Sequence, residues 1–102
     1  MKLQFSGFEW DDGNLRHCQK HGLSRKQVEQ IFQQDDLLVA PALLHAQEEE
    51  RYLAVGRART GKPMLVVFTI RRVDETLQIR PISARYMHEK EARKYEEEST
   101  EI

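Results

Sequence analysis

With 102 residues, 39% hydrophobic and 32% charged, the chain has material for one hydrophobic core and a well-solvated surface, which excludes two ordinary domains and a disordered polymer. No apolar run approaches the roughly 18 residues of a membrane helix, and Met1 to Gly7 turns polar before a secretory apolar segment forms, so a cytosolic protein with no membrane partner is expected. The formal charge of -1 conceals a mildly basic body: Glu96, Glu97, Glu98 and Glu101 sit in the last seven residues, and without them the charge is +3, which permits a nucleic-acid partner.

Residues 3–8 alternate apolar and polar as a half-buried first strand does. Asp11 then has the side chain of an N-cap, with Trp10 and Leu15 at the spacing of a hydrophobic staple. The first helix should start near Asp12 and stop at Gly22, where glycine accepts the left-handed conformation. Ser24 with Gln27 spells a capping box and Leu23 with Val28 a second staple, which predicts a helix from about Arg25 to Phe32 with Val28, Ile31 and Phe32 inward. The single cysteine, Cys18, makes neither an internal disulfide nor a thiol pair for zinc and reads as a small core residue.

Leu37 to Ala40, ended by Pro41, suits an edge strand. Three longer runs follow, Arg51 to Arg59, Met64 to Arg72 and Thr76 to Ala84, with connections of hairpin length. Met87, Glu91 and Tyr95 recur at four-residue spacing and predict a terminal helix. Strands grouped after helices imply an α+β fold: an antiparallel sheet of about four to five strands, two N-terminal helices packed on it, and a C-terminal helix. One domain is expected over residues 1–95, followed by a solvated acidic tail over 96–102.

The chemistry is carried by cations. Alternation sends Arg51, Leu53, Val55, Arg57 and Arg59 to one side of their strand. Regular alternation would separate Arg80 from Arg85, but Pro81 lacks a ladder donor and is tolerated at bulges, and a bulge there brings the two guanidinium groups nearer in direction. A guanidinium is a planar fork of donors that matches a phosphate; solvated strand-end cations are the alternative reading. His21 follows Lys20 at the end of the first helix, where the dipole alone favours a cation, while an imidazole also exchanges protons near neutral pH. His17 and His21 have the spacing of a metal pair, but no third ligand is spaced to join them, and no metal or other cofactor is expected. His45 and His88 suggest no role.

The ordered set Phe8-Glu9-Trp10-Asp11, Asn14, Lys20-His21-Gly22, Ser24, Gly56-Arg57, Val66-Val67-Phe68-Thr69 and Ile82-Ser83-Ala84-Arg85, with Glu91 and Tyr95 downstream, resembles the BrnT family of toxins over about Phe5 to Tyr95. The resemblance implies a RelE-related fold and a metal-independent endoribonuclease of a type II toxin-antitoxin pair, neutralised by a BrnA-like antitoxin in equal numbers, with a two-by-two complex allowed. Operator DNA would be met only through that antitoxin. Carried over by motif, Lys20 and His21 become candidates for proton transfer or charge stabilisation and Arg57 and Arg85 for holding the phosphate, with Arg80, Arg59 and Arg51 as further RNA contacts. Arg25-Lys26-Gln27 stand where the family often has an aromatic and acidic pair. An antitoxin-binding module that has lost catalysis is the alternative function.

Overall fold

The computed structural model describes residues 4–42 and 50–99. Its elements are β1 (Gly7–Phe8), α1 (Asp12–Gln19), α2 (Arg25–Ile31), β2 (Leu38–Pro41), β3 (Tyr52–Arg57), β4 (Pro63–Val73), β5 (Thr76–Tyr86) and α3 (Glu89–Ser99). The five strands form one sheet in the order β1-β5-β4-β3-β2.

Both N-terminal helices begin as their side chains dictate. Asp11 accepts from the Asn14 amide while the Asn14 side chain accepts from the Asp11 amide, and Ser24 and Gln27 repeat the exchange at α2. Each box satisfies two backbone groups that a helix start would otherwise leave orphaned. Gly22, at φ +87°, turns the chain out of α1, so Leu23 enters the core at 1% exposure.

The register sorts the sheet into two faces. Val39, Ala54, Val66 and Ala84 lie side by side across β2 to β5, and so do Leu38, Val55, Leu65 and Arg85 one residue away. The first row belongs to the main core, closed by α1 and α2 through Cys18, Leu23, Val28, Ile31 and Phe32. Phe32 meets Phe8 and Phe68 edge-on, at ring separations of 5.6 and 5.1 Å, a geometry that aligns ring edges with ring faces. Gly56 is required where β3 passes under α2, because a Cβ there would stand 3.0 Å from the Ile31 Cβ. On the second face, Met87 before α3 and Ala92 and Tyr95 within it pack with Leu38, Leu53, Val55 and Leu65.

The expected meander is present, and β2 is an edge strand whose Pro41 lacks a ladder donor. The sheet is mixed rather than wholly antiparallel, because β1 pairs in parallel with the outer edge of β5. β1 is also shorter than the expected run over residues 3–8, of which 1–3 lie outside the described residues. At Pro81 the register steps from Val67↔Ser83 to Phe68↔Pro81, leaving Ile82 as the extra residue of a bulge. The step turns Pro81 into the core beside Phe68 and leaves Arg80 opposite Thr69, on the same sheet face as Arg85. The proline and the bulge thus reverse the alternation as expected.

A candidate phosphate-binding face

Five arginines share the sheet face opposite the main core. Arg57 pairs with Pro63 in the register of Val55, Arg85 with Leu65, and Arg80 with Thr69; Arg71 is two residues along β4 from Thr69, and Arg51 two residues before Leu53. Strands β3, β4 and β5 all contribute, so the face is a property of the sheet and not of one loop.

α3 covers one half of it and brings its own acids. Arg57 grips Glu89 with both terminal nitrogens, at 2.6 and 3.1 Å, and Glu96 through Nη2 and Nε at 3.2 and 3.4 Å, and donates to the Gly61 carbonyl at 2.9 Å. Arg85 makes a two-point pair with Glu91 at 2.7 and 3.1 Å. These pairs hold the Glu89 and Glu91 carboxyls below the usual range and push both guanidinium groups further up. Glu96, which reads as the start of a solvated tail, is therefore tied to β3, and α3 continues past it to Ser99.

The other half is a cleft of about 300 Å³ between α1 and the sheet, lined by Asn14, His17, Arg51, Arg71, Arg80 and Ile82 together with Gly13. Arg80, with 19% of its side chain exposed, is fixed by Glu9 at 3.2 Å and Asp11 at 2.9 Å. Asp11 is held below the ordinary aspartate range, first by the Asn14 amide and then by Arg80. Arg71 reaches Glu9 at 4.0 Å. The Arg51 Nε is buried and meets no hydrogen-bond partner among the described residues. Asn14 is structural: its amide donates to the Pro81 and Glu9 carbonyls at 2.8 and 3.0 Å, which docks α1 at the bulge and so sets the wall that carries His17.

The seven residues singled out from sequence are thus divided. Arg57 and Arg85 share a face and a neighbour in α3; Arg51 and Arg80 line the cleft; Arg59 is exposed in the turn before β4. Lys20 and His21 are exposed at the end of α1, and no hydrogen bond or ion pair joins either to Arg57 or Arg85 among the described residues. Among the described residues, Arg57 and Arg85 lie against the acids of α3, whereas Lys20 and His21 follow the last turn of α1. Two cleft residues escape the sequence reading: Arg71, hidden in the run Ile70-Arg71-Arg72, and His17, weighed only as a metal ligand. Pairing Arg71 with Gln78 across the hairpin at Asp74-Glu75 is the signal that finds the first. Among the described residues, His17 and His21 belong to no group of three or more side chains placed to hold a metal.

Residues 10–91 match the family described as ribonuclease toxin, BrnT, of type II toxin-antitoxin systems. The match spans most of the chain, and the chain belongs to that family. A search of curated proteins finds no match.

Proposed function

From membership of a family of ribonuclease toxins, we propose that this chain is a metal-independent endoribonuclease that arrests growth in the cytoplasm and is neutralised by a BrnA-like antitoxin. The observation that carries the reading is the gathering of Arg51, Arg57, Arg71, Arg80 and Arg85 on one sheet face by strand register. RNA supplies its own nucleophile, the 2′-hydroxyl, so a protein needs only to orient the phosphodiester, neutralise charge building on its oxygens, and move two protons. Guanidinium forks suit the first two tasks. The third falls to side chains on α1 or at its end: His17 in the cleft, or Lys20 and His21 beyond it. A phosphate approaching Arg57 or Arg85 has to displace the carboxylates of Glu89, Glu91 and Glu96.

The antitoxin, in equal numbers and in a complex that allows a two-by-two form, covers the arginine face and makes any contact with operator DNA. Purified chain should cut single-stranded RNA in the presence of a chelator, and a 2′-deoxy substitution at the cut should block the reaction. Folded protein that binds its antitoxin but leaves RNA intact would overturn the nuclease reading and leave a binding module.

A further inference from the structure

We propose that α3 is an autoinhibitory clamp, in which Glu89, Glu91 and Glu96 occupy the guanidinium donors of Arg57 and Arg85 in place of an RNA phosphate until substrate displaces them. The proposal rests on the ribonuclease reading and adds to it that the free chain holds itself partly shut.

A guanidinium has five N–H bonds, and Arg57 makes five contacts with them. Nε meets Glu96, Nη1 meets the Gly61 carbonyl and Glu89, and Nη2 meets Glu89 and Glu96, all between 2.6 and 3.4 Å. Four of those five acceptors are carboxylate oxygens. A carboxylate set two-point on the guanidinium fork takes the arrangement a phosphate would take, so α3 offers Arg57 two anions in the substrate's place. Glu91 meets Arg85 in the same two-point way. While α3 is seated, Arg57 has no donor left for RNA. Nor is Glu96 placed for the good of the helix, because the last turn of α3 holds no basic residue and the dipole there disfavours negative charge.

The clamp is loosely held. Within α3, Ala92 is buried and Tyr95 half-buried against the second core cluster, while Glu89, Lys90, Arg93, Lys94 and Glu98 are exposed. Apolar burial therefore gives the helix little hold. Its ion pairs leave about a third to a half of each side chain exposed, and pairs of that kind contribute little each and are screened by salt. A helix docked in this way opens locally at low cost. An RNA backbone, with a phosphate at every nucleotide, then competes for the same donors.

The test measures cleavage of an RNA oligonucleotide by the full chain, with Glu89→Gln set against Glu98→Gln. Both remove one negative charge from α3, but among the described residues only Glu89 pairs with an arginine of the sheet. Glu89→Gln should lower KM about fivefold at unchanged kcat, because apparent affinity scales with the fraction of chain that is open. Adding Glu91→Gln should lower KM further, and Glu98→Gln should leave it near the wild-type value. Hydrogen exchange on the wild-type chain gives a readout that depends on no variant's folding: saturating 2′-O-methyl RNA, which binds without being cut, should speed exchange of the α3 amides and not of those in α2. Equal KM for Glu89→Gln and Glu98→Gln, or α3 amides that RNA slows or leaves unchanged, overturns the clamp and leaves the ribonuclease reading standing. Protein that neither binds nor cuts RNA, as wild type and as Glu89→Gln alike, overturns both.

Discussion

Replacing Asn14 by alanine should be among the most damaging single changes outside the apolar core, and its cost can be worked from three contacts. The side chain is 6% exposed and makes hydrogen bonds to the Asp11 amide, the Glu9 carbonyl and the Pro81 carbonyl at 2.7, 3.0 and 2.8 Å. Losing the first two, which lie nearer solvent, costs about 1 kcal/mol each. The Pro81 contact is buried, so its carbonyl loses its partner where no water replaces it, at about 1–3 kcal/mol. The expected loss is about 3–5 kcal/mol, or a fall in Tm of at least about 12 °C for a domain of this size. Urea titration followed by circular dichroism and by fluorescence of Trp10, which sits one residue before the cap, measures it. Asn14→Asp sharpens the test: it keeps the acceptor for the Asp11 amide but sets a carboxylate oxygen against two carbonyls. It should be at least as harmful at pH 7 and partly recover as acid protonates the new carboxyl. A loss below about 1 kcal/mol for alanine, or wild-type stability for the aspartate, would refute the assignment of the α1–β5 joint to this amide.

Gly56→Ala should destabilise by about 1–2 kcal/mol in the same urea assay, because crowding Ile31 outweighs the roughly 0.4–1 kcal/mol gained from a stiffer unfolded chain. The carboxyls of Asp11, Glu89 and Glu91 have folded pKa values below their ordinary values of 3.8, 4.5 and 4.5. Their stabilisation is therefore complete at neutral pH, begins to fall below about pH 4.5, and is lost as pH drops through the folded values. A thermal-melt series from pH 7 to pH 2 should show this limb, and Glu89→Gln with Glu91→Gln should flatten it. Burial raises the Cys18 thiol to about 11, so iodoacetamide at pH 8 should label it only after denaturant is added; fast labelling of the native chain would contradict the packing of α1.

What could be read in the sequence was local. Asp11, Ser24 with Gln27, and Gly22 act within a few residues of themselves, and their caps and turn stand where the pattern puts them. The bulge is legible for the same reason, since Pro81 cannot donate to its own ladder. The parallel seating of β1 against β5 was not legible, because nothing within Gly7-Phe8 specifies a partner seventy residues on. The site was only half legible. Alternation places arginines on one side of a strand, but which strand faces align depends on every turn between them, and Arg71 enters the group only through the hairpin at Asp74-Glu75. Glu91 reads as one position of the four-residue repeat of a terminal helix and Glu96 as the start of a solvated tail; the function of both, with Glu89, as counterions to Arg57 and Arg85 emerges only when α3 folds back over the sheet.

Ile82 divides β5 into two lengths that are out of phase by one position. Removing that single residue would leave charge and every named guanidinium untouched, and would let Pro81 and Ser83 face Phe68 and Val67 as consecutive rungs, so the bulge would vanish without turning Thr76 to Pro81 over. Arg80 would stay opposite Thr69 and Pro81 beside Phe68, while the cleft would lose the apolar wall that Ile82 gives it. A one-residue gap at that point is therefore a lighter change than the same gap elsewhere in β5, which would send one length of the strand to the opposite face.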